Sequence, residues 1–135
     1  MNQTIRQLLD TAGLLLTDTG EPAKPAATTV PAASAAAAAS RCRGAAFALR
    51  VALESAVADR LTAYRAPRAI REGTQRAAFL WLRGCAEAGT ARQAKAVWSQ
   101  LCLGCHYHQY EIGPTEDQVR AWHTEVAAIV ALLAR

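Results

Sequence analysis

Apolar residues recur three and four positions apart along most of this 135-residue chain, which is the period of amphipathic helices. The pattern predicts helices over residues 4–16, 36–64, 74–88, 90–112 and 116–134. The packing partner of the first helix is not evident. The predicted buried faces are Cys42, Ala46, Leu49, Leu53, Val57, Leu61 and Tyr64 in the second helix, Ala78, Trp81, Leu82 and Cys85 in the third, Ala94, Val97, Trp98, Leu101, Cys105 and His108 in the fourth, and Val119, Trp122, Val126, Ile129, Val130 and Leu133 in the last.

Short motifs mark the helix ends. Gly89 and the pair Gly113-Pro114 are typical terminators. Thr90-Ala-Arg-Gln93 and Thr115-Glu-Asp-Gln118 match the capping box, in which the threonine hydroxyl accepts from the third amide and the glutamine side chain reaches back. We therefore predict helix starts at both threonines.

The organisation follows from composition. The hydrophobic share is 52% and aromatic residues make up only 6%, so the alanine-rich chain favours helices. Residues 17–35 contain three prolines among Ala, Thr and Ser and cannot bury enough apolar area to fold alone. We predict an all-α protein in which a short amphipathic helix (1–16) and a flexible linker (17–35) precede an antiparallel bundle of about four helices (36–135).

Four cysteines at irregular spacing do not suit a disulfide-stapled scaffold, so we expect free thiols in a reducing compartment. No export signal is apparent. The longest strongly apolar run, residues 126–134, is shorter than the roughly 20 residues that a membrane span needs. The expectation is a cytoplasmic protein without membrane contact.

Positive charge is concentrated in one part of the chain. Residues 41–95 hold ten arginines and one lysine against four acidic residues, a formal net charge of +7. Arg65, Arg68, Arg71 and Arg76 cluster around one predicted connection. They are candidates for binding phosphates or an acidic partner, and a solvated arginine-rich face is the alternative.

The run from Leu101 to His108 gathers the side chains with metal or proton chemistry. One hypothesis is a zinc site of Cys102, Cys105 and His106, with His123, Cys85 or Cys42 as the fourth ligand. The site would form on a continuous helix or in a knuckle that leaves helical geometry at Gly104. Packing of free thiols on apolar helix faces is the favoured explanation, so we expect no cofactor.

Two further hypotheses concern the same run of residues. Cys102-Leu-Gly-Cys105-His106 matches the attachment signature of c-type haem, which is formed outside the cytoplasm. Cys102 and His106 lie one turn apart, as a nucleophile and its base could, but no glycine-rich oxyanion loop accompanies them.

Several short patterns are similar to a known family. They are Trp98-Ser-x-Leu101, Cys105-His-x-His108-x-Tyr110, Pro114-Thr115, Val119-x-x-Trp122 and Arg50-Val-Ala-Leu-Glu54. Together they resemble HEPN-type domains, the helical nucleotide-binding domains of defence and toxin systems, over residues 41–135. The resemblance implies a small helical bundle, often dimeric, in a family with many metal-independent ribonucleases. The family's motif, an arginine followed by a histidine four to six residues later, is absent here.

These observations lead to a functional expectation with two alternatives. We expect a non-enzymatic interaction module that binds a partner protein or RNA through the arginine-rich connection and the end of the fourth helix at residues 106–110. One alternative is a ribonuclease-like domain in which His106 or His108 acts with a nearby arginine such as Arg50 or Arg76. The other is a small zinc-stabilised domain.

Overall fold

The part of the chain that the structure describes contains six helices and no strand. The structure is a computed structural model, and it describes residues 1–17, 32–105 and 113–135. The helices are α1 (Gln3–Thr17), α2 (Ala32–Ala63), α3 (Arg68–Arg71), α4 (Gln75–Leu82), α5 (Ala88–Cys105) and α6 (Glu116–Leu133). This confirms the predicted all-α bundle. None of these helices combines the length and the hydropathy needed to cross a bilayer.

The long helix α2 is the centre of the bundle and packs against α1, α4, α5 and α6. Its buried face is rich in alanine, which lets neighbouring helices approach closely. The face comprises Cys42, Ala45, Ala46, Ala48, Leu49, Ala52, Leu53, Ala56, Val57 and Leu61. The helix begins at Ala32, inside the predicted linker, because the alanine run has high helix propensity. Residues 18–31 of that linker lie outside the described residues.

Helix α1 packs against both α2 and α6, which supplies the partner that its sequence pattern does not reveal. The side chains of Ile5, Leu9, Ala12 and Leu16 are buried there. Two polar contacts fix the two ends of the helix. Asn2 donates to the Asp59 carboxylate at 2.9 Å, and the Arg120 guanidinium donates to the Leu16 carbonyl at 3.1 Å. The N-terminal helix is therefore part of the bundle core.

Helix α6 matches its prediction closely. All six predicted apolar residues are buried. Thr115 caps the helix, because its hydroxyl accepts from the Gln118 amide at 3.1 Å. Glu116 and Asp117 in the first turn add favourable charge at the positive end of the helix dipole.

The boundary between α4 and α5 differs from the prediction. Helix α4 ends at Leu82, and α5 begins at Ala88, so Gly89 and Thr90 lie inside the first turn of α5. The predicted capping box at Thr90 is therefore wrong. The cap is Glu87, whose carboxylate accepts from the Gly89 amide at 3.0 Å, the Thr90 amide at 3.2 Å and the Thr90 hydroxyl at 3.1 Å. These hydrogen bonds, led by that from Gly89, lower the pKa of Glu87.

The aromatic residue that α4 buries is Phe79 rather than Trp81. Residues two apart on a helix point about 160° away from each other, so only one of the two can face the core. Phe79 is buried and stacks on Trp98 of α5 with ring centroids 4.9 Å apart, whereas Trp81 is 42% exposed. The predicted burial of Trp81 is wrong for this reason.

Gly104 is a close-approach position and does not break α5. The helix continues through it to Cys105. A Cβ atom at Gly104 would lie 3.0 Å from the Trp122 ring and 3.6 Å from Pro114. The glycine is thus explained by the packing of Trp122 against the α5 backbone. The predicted continuation of this helix over residues 106–112 lies outside the described residues.

Candidate functional site

The connection between α2 and α5 exposes five arginine side chains. Arg65, Arg68, Arg71 and Arg76, which the sequence singled out, are all exposed, and Arg83 at the end of α4 joins them. Residues 64–84 contain these five arginines and one acidic residue, Glu72, for a formal net charge of +4. We call the five exposed arginines the cationic surface.

Arg65 holds an unusual backbone conformation at the end of α2. Its φ angle is 55°, and it is the one residue other than glycine with a positive φ in the described chain. The Ala66 amide donates to Leu61 O at 2.9 Å and the Arg65 amide to Thr62 O at 3.0 Å, the two hydrogen bonds of a Schellman motif. Glycine is the usual residue here because a side chain in this conformation costs about 1–2 kcal/mol.

Only part of the cationic surface is engaged within the chain. Arg68 donates to Glu72 at 2.8 Å in an exposed ion pair, which contributes little to stability. Arg71 donates to the Ala66 carbonyl at 3.0 Å and so supports the turn after α2. Arg65, Arg76 and Arg83 have no carboxylate within ion-pair distance in the described part of the chain. Within the described residues, these three guanidinium groups therefore have no carboxylate partner and can bind an anion.

Two large apolar side chains lie beside these arginines on α4. Leu80 is 56% exposed and Trp81 is 42% exposed. The opposite side of the helix supplies Ala78, Phe79 and Leu82 to the core. The sequence pattern placed Trp81 in the core, so this exposed aromatic residue was missed as part of a surface.

A second cluster of functional side chains lies between α2 and α5. The indole of Trp98 donates to Glu54 at 2.9 Å, and the guanidinium of Arg50 lies 3.6 Å from the same carboxylate oxygen. The positive charge of Arg50 also acts on Cys102 and Cys105. We call these five residues the thiol cluster.

Burial makes the two thiols in this cluster weak acids. Desolvation is the largest cause of the raised pKa of Cys102 and of Cys105, and the Glu54 carboxylate raises both further. The positive charge of Arg50 acts in the opposite direction without overcoming burial. Both thiols are therefore protonated at neutral pH, a state that suits packing better than nucleophilic attack or metal binding.

The candidate histidines are only partly within the described chain. His106 and His108 lie outside it. His123 faces α1, where its Nε2 donates to the Leu9 carbonyl at 3.0 Å. Cys102 and Cys105 interact instead with Arg50 and Glu54 on α2. Among the described residues, no group of three or more His, Cys, Asp or Glu side chains could hold a metal ion.

Arg60 is a structural residue that the sequence did not reveal. Its guanidinium donates to Cys85 O at 2.7 Å, to Arg135 O at 2.9 Å, to Leu133 O at 3.3 Å and to the Tyr64 hydroxyl at 3.1 Å. It also lies 4.6 Å from the centroid of the Tyr64 ring. These contacts tie α2 to the end of α6 and to the turn after α4. The sequence shows Arg60 only as an arginine near the end of a predicted helix, and no local pattern indicates these contacts.

A small cavity lies next to Arg60 at this end of the bundle. Its volume is about 240 Å³, and Ile5, Ala56, Val130 and Leu133 line its apolar part. Pockets for drug-sized ligands are larger, roughly 300–1,000 Å³. The cavity is therefore not our candidate site.

The comparisons with known proteins find no match: no protein-family model, curated protein or solved structure is similar to this chain. The resemblance to HEPN-type domains stays a prediction.

Proposed function

We propose that this protein is a non-enzymatic helical interaction module that binds RNA through the cationic surface. The observation that carries the proposal is the exposure of five arginines against one acidic residue between Tyr64 and Gly84. Guanidinium groups match phosphate oxygens in geometry and charge. The segment at residues 106–110, the C-terminal end of the predicted α5 pattern, remains part of the predicted binding region.

Arg65 supports a binding role for this surface. Its left-handed backbone conformation favours glycine, and its exposed side chain makes no ion pair with any described residue that would offset the cost. Costly conformations of this kind cluster at functional sites. An arginine at such a position is consistent with a function for its charge.

RNA is favoured over an acidic protein because exposed apolar side chains accompany the arginines. Leu80 and Trp81 are exposed on the same short helix as Arg76. Nucleic-acid sites combine phosphate contacts with side chains that pack on bases, whereas charge alone is enough to attract an acidic protein. The proposal includes the cytoplasmic location expected from the free thiols and, from the resemblance, a homodimer.

A salt titration of RNA binding tests the proposal. Fluorescence anisotropy of a short labelled RNA is measured with the full chain between about 50 and 200 mM salt. The double variant Arg76→Gln/Arg83→Gln should weaken binding and reduce the slope of log K against log salt by about 1.4, because each phosphate contact contributes about 0.7.

The matched control removes two exposed arginines elsewhere, in Arg6→Gln/Arg43→Gln. This variant has the same net charge and should keep nearly the wild-type slope. Equal loss in both variants would mean that net charge alone drives binding. Binding of an acidic peptide in place of RNA would contradict the proposal.

A ribonuclease-like activity is the second candidate, and the charge of Arg50 near the end of α5 favours it. Arg50 interacts with Cys102 and Cys105, the two cysteines that precede His106 in the sequence. In metal-independent RNA cleavage the 2′-hydroxyl oxygen loses its proton to water and attacks the phosphorus while the bond to the 5′-oxygen breaks. The proposal assigns His106 or His108 to proton transfer to the leaving 5′-oxygen and Arg50 to the negative charge that develops on the phosphate. Incubation of labelled RNA in a metal chelator tests this: cleavage that is lost in His106→Ala or His108→Ala supports the activity, and intact RNA refutes it.

A further inference from the structure

We propose that the exposed face of α4 stacks unpaired bases on Leu80 and Trp81 while Arg76 and Arg83 bind the neighbouring phosphates. The module would then select single-stranded RNA over duplex RNA. This inference rests on the proposed RNA binding and adds to it the class of RNA and the residue that determines the selectivity.

The positions of these residues around α4 separate an apolar side from a charged side. Each residue turns the helix by about 100°, so Arg76 and Arg83 lie about 40–60° to one side of Leu80. Trp81 lies about 100° to the other side. Arg83 keeps helical backbone angles, with φ −58° and ψ −27°, so the geometry extends to it. The exposed face therefore runs from guanidinium groups through Leu80 to the Trp81 ring.

This face is not needed to fill the core. Phe79 already supplies the aromatic contact of α4, in its stack on Trp98. Trp81 and Leu80 keep 42% and 56% of their surface exposed. Tryptophan is highly buried on average in folded proteins, and here it is adjacent to a second exposed apolar side chain. Leu80 and Trp81, which we call the platform, expose apolar surface on the same helix as Arg76, and neither Arg76 nor Arg83 has an ion-pair partner among the described residues.

Only an unpaired base can use this platform. A base inside a duplex is stacked on both faces, so the exposed face of α4 can contact only the phosphates of a duplex. A base in a single strand can turn outward and stack on an indole, and such stacking contributes about 1–3 kcal/mol per base. Phosphates bound by Arg76 and Arg83 would place the bases of the same strand over Leu80 and Trp81.

The experiment compares one RNA sequence as a single strand and as a duplex, at fixed salt, by fluorescence anisotropy with the full chain. Trp81→Leu should weaken single-strand binding by about 5- to 150-fold, which corresponds to the loss of one stacked base. Duplex binding should change little. Trp81→Phe should restore most of the affinity because it restores an aromatic face, and Leu14→Ala is the control for loss of an exposed apolar side chain on α1.

Intrinsic tryptophan emission gives a second readout, and its first part needs only the wild-type chain. Single-stranded RNA should quench the emission of the wild-type chain, and the quenching should be absent in Trp81→Leu. Single-strand binding that Trp81→Leu leaves intact, or equal affinity for duplex and single strand, overturns this inference while the proposed RNA binding stands. Absence of binding to either form overturns both.

Discussion

Replacing Arg65 by glycine should make the protein more stable and its RNA binding weaker. The φ angle of 55° costs an arginine about 1–2 kcal/mol, a cost that glycine does not have. Glycine loses more entropy on folding, about 0.5–1 kcal/mol, so a net gain of about 0.5–1 kcal/mol remains. For a domain of this size, that gain raises Tm by about 2–4 °C.

The assay combines thermal unfolding, followed by circular dichroism, with the RNA salt titration. Arg65→Gln is the matched control, because it removes the same charge and keeps a side chain at the left-handed position. Both variants should bind RNA more weakly, and only Arg65→Gly should gain stability. A Tm for Arg65→Gly at or below that of the wild type would refute the left-handed conformation of Arg65. Wild-type RNA affinity in both Arg65→Gly and Arg65→Gln would show that Arg65 does not contribute to RNA binding.

Three further predictions concern the rest of the bundle. Arg60→Met should lower the free energy of unfolding by about 2–4 kcal/mol in urea titrations, because it removes four hydrogen bonds from a charged donor; an unchanged value would show that these bonds do not stabilise the end of the bundle. Gly104→Val should destabilise by about 1–3 kcal/mol through overpacking against Trp122, and Gly104→Ala by less, since alanine regains about 1 kcal/mol of helix propensity. Alkylation of Cys102 and Cys105 by iodoacetamide should be slower than that of a free thiol at neutral pH and should accelerate only as pH rises through their raised pKa values. The raised pKa values also make stability depend on pH: their contribution to the free energy of unfolding is present below the ordinary thiol pKa and is lost as pH rises above the raised pKa. Fast alkylation at neutral pH would contradict the burial of these thiols.

The hydrophobic period predicted the register of the helices that bury a continuous stripe. In α6 every predicted apolar residue is buried, and the Thr115 cap is confirmed. The prediction succeeds here because an uninterrupted apolar stripe and an adjacent cap indicate the same helix start and the same buried face. The pattern was ambiguous in α4, where Phe79 and Trp81 both fit a helical spacing with Ala78 and Leu82. The stack of Phe79 on a residue of another helix decides between them, and the local sequence does not contain that contact.

The start of α5 shows a second limit of local motifs. Thr90 and Gln93 have the right spacing for a capping box, yet Glu87 caps the helix one turn earlier. The thiol cluster and the contacts of Arg60 also join residues far apart in sequence, such as Glu54 with Trp98. The cationic surface was largely predictable because its arginines are close together in the chain. Its apolar side was not, since it depends on which aromatic residue α4 buries.

Binding of RNA at the cationic surface is the central claim, and an NMR titration of the uniformly ¹⁵N-labelled chain with a short single-stranded RNA tests it most directly. We expect the largest amide shifts between Tyr64 and Gly84, and the indole signal of Trp81 should move with them. Shifts confined to other helices, or a spectrum that the RNA leaves unchanged, would contradict it.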